Sequence, residues 1–421
     1  MVNSSPMDLD DAIEIARSVP DATRPLPGDA LAAAVRAVAG PAGARVSRIG
    51  RSGEGRPIEL VSFGQGAPSV LAYAYPHPDE PVGGATVLFL AERLAAGDAR
   101  LARAPVRSWH LIPCVDPDGA ARNEGWLEAL AERGGAAETI LAYGRAGYRP
   151  IAPADEVDWS VAEPHPETEA LLRALASVRP DAVLPLHDES HAPAPATVGA
   201  APALGKPDLE RVLGALRAFG QPVAPDGPCD LEQVAAGEWA VSSFAFAQTA
   251  NPEARILVTE IAGARVQGLT DPAPAPIDLA ALDGWVRALA SRILATYVDP
   301  ARAAAGDGAG AGGAADPRLR RSVEALAARL EAVRDDGYLG PIAGLPAAET
   351  YATRAEETEA KRALPALWLA RAGMAVRLLG DRDLAARLES DLGRAVRELA
   401  PEPIAFGQMV RAQVAAVLAF L

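Results

Sequence analysis

Apolar and polar positions follow two rhythms along this chain. Residues 8–19 and 28–39 carry apolar side chains at helical spacing and predict two short helices. From 41 to 68 the rhythm shortens to strands punctuated by glycine, and the alternation in PIELVSFG (57–64) predicts an edge hairpin. SVLAYAY (69–75) is a continuous apolar run of strand length, followed by the turn PHPDEPVGG and the helical pattern ATVLFLAERLAA. Strand, loop and helix in that order form the unit of an open α/β sheet. SWHLIPCV (108–115) repeats the buried-strand pattern and ends in DPDG. PETEALLRALASV (166–178) reads as a helix, with Pro166 at its start and acids in its first turn. AVLPLH (182–187) and RILVTEI (255–261) are two further strands, and 278–298 closes the series as a helix.

A Gly/Ala-rich stretch, 301–315, then reads as a flexible linker. Beyond it Asp316 and Pro317 form an N-cap and first-turn pair. Leu319, Val323, Leu326, Leu330 and Val333 follow at helical spacing, and helical patterns continue to Leu421. The expected organisation is an N-terminal helical segment (1–40), an α/β domain (41–300), the linker, and an all-helical domain (316–421). The apolar faces of that last domain suit packing on the α/β domain or homodimerisation.

Composition narrows the setting. Apolar residues make up 49% of the chain, enough for a large core without staples. Two cysteines, Cys114 and Cys229, do not make a disulfide framework and fit a reducing compartment. The N-terminus is acidic and no run approaches the ~18 apolar residues of a membrane helix. A soluble, cytoplasmic protein with no membrane partner is therefore expected. The net charge of −15 argues against a nucleic-acid partner, because phosphate backbones recruit basic surfaces.

Residues able to do chemistry recur at strand C-termini, the edge where open α/β sheets bind ligands. His77 and Glu80 lie three apart in the turn after a buried strand, where both can aim at one ion. On their own they read first as ordinary polar loop residues, and their place at the strand edge is what shifts the balance toward a metal site. Zinc accepts imidazole and carboxylate donors at ~2.0–2.2 Å and needs a third protein ligand in a catalytic site. His187, ending AVLPLH, is the best third candidate, with His191 as its rival. His110, inside a strand, and His165, before a helix, read as structural. Glu260 ends RILVTEI at the same edge, where it is either a general base or a loop carboxylate satisfied by backbone amides. Asp188 and Glu189 read as solvated loop charges, the alternative being a preference for a basic substrate group.

HPDE (77–80), DPDG (116–119) with RNEGW (122–126), YRP (148–150), PETEA (166–170), LH (186–187) and TE (259–260) stand in one order over roughly 45–298. In these segments the chain resembles the zinc carboxypeptidases of the carboxypeptidase A/B superfamily, in particular a bacterial, cytosolic-looking branch. The resemblance implies an α/β/α sandwich around a mixed eight-stranded sheet and one zinc ion per chain, held by His77, Glu80 and His187. It implies Glu260 as general base and Arg122 as the cation that polarises the scissile carbonyl. The family's Asn-Arg pair, which grips the substrate's terminal carboxylate, has no clean match; Asn123, Arg145 and Arg149 stand in by neighbourhood. The family's mobile Tyr is also unmatched, with Trp239, Phe244 and Phe246 in its stretch. Asp79 and Asp158 are candidates to support a zinc-bound histidine.

The activity implied is hydrolysis of a C-terminal amide bond in a small peptide or peptide-like metabolite. Two other readings stay open: an N-acyl amino acid deacylase resembling succinylglutamate desuccinylase and aspartoacylase, and a non-catalytic binding module.

Overall fold

The computed structural model describes residues 7–131, 135–150, 157, 164–223, 229–230, 251–306, 316–338 and 351–421. Two helices, α1 (Leu9–Arg17) and α2 (Gly28–Ala39), lead into the hairpin β1 (Arg45–Arg51) and β2 (Pro57–Gly64). Then come β3 (Ser69–Ala74), α3 (Val82–Ala95), β4 (Ser108–Ile112) and the helices α4 (Pro117–Arg122), α5 (Glu124–Ala131) and α6 (Ala136–Ala146). After α7 (Pro166–Val178) follow β5 (Ala182–Glu189), β6 (Thr197–Ala201), α8 (Lys206–Ala218), β7 (Cys229–Asp230) and β8 (Arg255–Ala262).

These eight strands form one mixed sheet in the order β1-β2-β4-β3-β5-β8-β6-β7. The middle strands β4, β3, β5 and β8 run parallel, and β1, β2 and β6 pair antiparallel to their inner neighbours. Every residue of β3 and β4 is buried, as their unbroken apolar runs require of a sheet covered on both faces. One face packs α7 over Ile58, Leu71, Tyr73, Ile112, Val183 and Ile256. The other carries α3, with α2 packed on it. The chain leaves β3 for β4 on one side, whereas β5 adds on the other. This order change opens a crevice at the C-terminal ends of β3 and β5, the usual ligand position in such sheets.

The segments at both ends of the chain join this body. The C-terminal helix, Phe406–Phe420, is buried at thirteen of its positions and packs against α1, α3, α8 and β8. Two short ladders tie Ala264–Arg265 to Glu402–Pro403 and Pro274–Asp278 to Tyr351–Thr353. The helix Leu364–Leu379 lies on α6 so closely that a Cβ on Gly373 would collide with the carbonyl oxygen of Gly144. The described residues of 316–421 are thus mainly helical, as their periodicity predicts, and their last helix lies in the helical layer of the α/β unit. The stretch read as a linker begins as helix, Asp299–Gly306, because alanine favours helix where a structured end can extend it. The rest of it, 307–315, lies outside the described residues.

At the start of this region Asp316 caps the helix Pro317–Asp336, accepting from the amides of Arg318 and Leu319. Arg318 then reaches into a pocket of fully buried acids, donating to Glu167 at 2.6 Å and Asp116 at 3.2 Å. Cys114 is buried and free. Among the described residues no helix is long and apolar enough to cross a membrane.

Candidate metal centre

The three adjacent strands β3, β5 and β8 deliver the candidate residues. β3 ends at Ala74, and Tyr75 turns the chain with φ of 55°, an uncommon conformation for a residue with a bulky side chain. Packing holds it there: Tyr75 is buried and its hydroxyl donates to Leu26 O at 2.8 Å. The turn brings His77 and Glu80 over the sheet edge. α3 begins two residues later, and Gly83 lets it sit against β5, since a Cβ there would lie 2.6 Å from Leu186 O. β5 pairs with β8 so that His187 stands beside Glu260, both side chains on the same face.

The result is a compact donor set. His77, Glu80 and His187 each offer one ligand atom, and these atoms lie within 4.8 Å of one another. His77 Nδ1 lies 2.7 Å from Glu80 Oε1, and His187 Nδ1 lies 2.9 Å from Glu80 Oε2. Burial opposes charge on Glu80, but His77, His187 and Arg149 overcome it and hold its carboxyl well below the usual range. A charged, buried carboxylate between two imidazoles fits a zinc ion with a position left for water. Glu260 Oε1 stands 3.8 Å from His187 Nδ1. Burial pushes the Glu260 carboxyl well up, helped by Glu80 and Glu189 and opposed by His187 and Arg149.

The other candidates divide. Arg149, from YRP, lies beside the donor set, 2.7 Å from Glu80 Oε1 and 2.9 Å from His77 Nδ1, and is also held by Asp79 at 3.2 Å. Arg122, on α4, donates to Asp118 O at 2.8 Å, Glu54 at 2.7 Å and Asp316 at 3.0 Å. Asn123 is buried and saturated: its amide donates to Gly119 O and Tyr148 O, and its carbonyl accepts from Trp126 Nε1 and Tyr148 N. Arg145 is exposed and pairs with Glu389.

His191 is not in the donor set. It is buried and stacked on Tyr143 at 4.2 Å, with Nε2 3.3 Å from Asp79 Oδ2. Burial first, then Arg149 and Arg371, lower its pKa against Asp79 and Glu189. His110 pairs with Ser62 and His165 with Glu167, structural positions for both. Asp188 is buried rather than solvated: it accepts from Val82 N, where the start of α3 lacks a side-chain cap, and from Ser190 N. Glu189 keeps partial exposure. Asp158, Trp239, Phe244 and Phe246 lie outside the described residues.

Sequence reasoning missed Tyr143, whose hydroxyl donates to Asp79 at 2.8 Å behind the donor set. It also missed Gln413 on the C-terminal helix, the one polar side chain buried on that helix. A single polar residue in the otherwise apolar stretch 412–420 was the signal available.

Fold and donor set together describe an α/β/α protein with a His–Glu–His cluster at the sheet edge that could hold one metal ion. Residues 34–135 match the family model described as zinc carboxypeptidase, in line with the resemblance read from the sequence. The match contains His77 and Glu80 and ends before His187 and Glu260. Among solved structures, a metallo-carboxypeptidase from Burkholderia cenocepacia is 21% identical with a TM-score of 0.38, over 55% of this chain and 58% of that one. A metallo-carboxypeptidase from Pseudomonas aeruginosa, in complex with (2-guanidinoethylmercapto)succinic acid, is 21% identical with a TM-score of 0.35, over 54% and 58%. The carboxypeptidase A of Helicoverpa armigera is 14% identical with a TM-score of 0.37, over 55% and 63%. The chain thus spans less than two thirds of the length of these three. No curated protein matches the chain.

Proposed function

We propose that this protein is a zinc-dependent amide hydrolase that releases a C-terminal residue from a small peptide or peptide-like metabolite. The observation that carries the reading is Glu260 on β8, facing the His77–Glu80–His187 donor set across the β5–β8 pair. Zinc held by these three residues would supply Lewis acidity toward water and a carbonyl oxygen. Glu260, paired with His187 across β5 and β8, is placed to take a proton from water and to return it to the leaving amine. Tyr143 and Arg149 hold Asp79, which fixes the turn carrying His77 and Glu80.

Arg149 is the cation best placed to meet a substrate carboxylate or a developing oxyanion, because it already stands beside the donor set. The oxyanion role expected of Arg122 would require it to leave Glu54 and Asp316, and the carboxylate roles expected of Asn123 and Arg145 would break the contacts that hold those residues.

The test is a panel of peptides with free C-termini set against N-acyl amino acids, assayed with the zinc-loaded protein. Release of the C-terminal amino acid from peptides, lost in Glu260→Gln, is the expected result. Cleavage confined to N-acyl amino acids would move the activity to the deacylase reading. A Glu260→Gln protein indistinguishable from wild type in every assay would leave a binding module.

A further inference from the structure

The C-terminal helix contributes one side chain to the back of the metal centre. Gln413 lies at its middle and is fully buried. A primary amide taken out of water is costly unless each polar group finds a partner. Gln413 satisfies this with three bonds: Nε2 donates to His187 O at 2.8 Å and to Thr259 Oγ1 at 3.1 Å, and Oε1 accepts from Thr86 Oγ1 at 2.8 Å. The amide orientation is fixed, since turning it over would set two acceptors, Oε1 and His187 O, against each other.

The three partners belong to the three segments that form the centre. His187 is itself a donor residue on β5. Thr259 precedes Glu260 on β8 and faces the opposite side of the sheet. Thr86 lies in the second turn of α3, the helix that continues directly from the turn bearing His77 and Glu80. One side chain therefore ties the ends of β5 and β8 to α3, behind the place where their residues converge. The helix is anchored at its far end as well, where Arg211 donates to Ala419 O at 2.6 Å and Arg255 to Phe420 O at 3.0 Å.

We propose that Gln413 is a positioning residue of the metal centre, through which the C-terminal helix fixes the main chain of His187 against α3 and β8. Groups bonded behind a ligand set orientation in advance, and their loss typically weakens metal binding by about 10–100-fold. The proposal rests on the zinc reading of the donor set.

The experiment measures zinc affinity by competition with a chromogenic chelator on the full chain. A urea midpoint of each chelator-treated variant reports stability separately. Gln413→Met keeps the length of the side chain and removes all three bonds; Thr86→Val leaves the bond to His187 and removes its far anchor. Val417→Ala, on the same helix, serves as the control for general loosening. Gln413→Met is expected to weaken zinc binding by about 10-fold or more and Thr86→Val by less. Val417→Ala should lower the urea midpoint while leaving zinc affinity within about twofold of wild type. Zinc affinity of Gln413→Met equal to wild type overturns the proposal, as does equal weakening by Val417→Ala. Should Gln413→Met fail to fold, Thr86→Val decides, with unchanged affinity counting against the proposal. A wild-type protein that binds no zinc would instead sink the functional reading, and this inference with it.

Discussion

Arg318 offers the sharpest test of the electrostatics at the start of the C-terminal region. Its guanidinium is mostly covered and meets Glu167 at 2.6 Å and Asp116 at 3.2 Å, with Asp118 at 4.0 Å, all three acids fully buried. Burial alone would raise the Glu167 carboxyl. The hydrogen bond from His165 and the charge of Arg318 outweigh it and hold the carboxyl at about 2, against an ordinary 4.5. At ~1.4 kcal/mol per tenfold change, that displacement stabilises the folded protein by about 3 kcal/mol. Because the folded value is depressed, the stabilisation is fully present above pH 4.5 and is lost as pH falls toward 2. Asp116 acts in the opposite sense, its carboxyl raised by burial despite Arg318. Arg318→Met keeps the aliphatic stem and leaves both acids without their cation, which typically costs about 3–5 kcal/mol for a buried pair. We expect a loss of about 3 kcal/mol at neutral pH, measured as a shift in the urea transition followed by tryptophan fluorescence. The loss should shrink at about pH 4, where the stranded acids can take up protons. A loss below ~1 kcal/mol at neutral pH, the range of exposed pairs, would refute the reasoning, as would a loss that does not change between the two pH values.

Other outcomes follow from single contacts. Glu260→Gln should lower kcat by about 10²–10⁴-fold while zinc affinity stays close to wild type; unchanged turnover in a peptide-release assay would remove Glu260 from the reaction. Arg149→Met should raise KM for peptides with a free C-terminal carboxylate more than for the same peptides amidated, and an equal effect on both would end the carboxylate role. Thr353 forms a capping box with Glu356, its hydroxyl accepting from Glu356 N at 3.2 Å and its own amide donating back to Glu356 at 2.6 Å. Thr353→Ala should therefore cost about 1 kcal/mol in urea denaturation without altering zinc binding, and no measurable cost would show that this cap does not stabilise the fold.

The metal centre shows how local and long-range information divide. His77 and Glu80 are three residues apart in one turn, so their partnership could be read from spacing and from the strand before them. His187 and Glu260 could be placed at strand ends because AVLPLH and RILVTEI are apolar runs of strand length. Their adjacency depends on β5 lying between β3 and β8, and strand order leaves no mark in a local pattern. Arg149 shows the same limit from the other side. Its segment resembled the family's, yet nothing local separated it from Arg145, which points outward to Glu389.

By itself, then, the sequence determined the strands β1 to β5 and β8, the chemistry available at the sheet edge and the mainly helical character of the described part of 316–421, because periodicity and turn residues act over a few positions. Only the tertiary structure decided which charges are buried. Asp188 reads as a solvated loop acid and is instead the buried cap of α3. The tertiary structure also decided where the chain's last helix goes. Gln413 reaches His187 across 226 residues of sequence, and a contact of that range is set by how whole layers pack, which no neighbouring residue encodes.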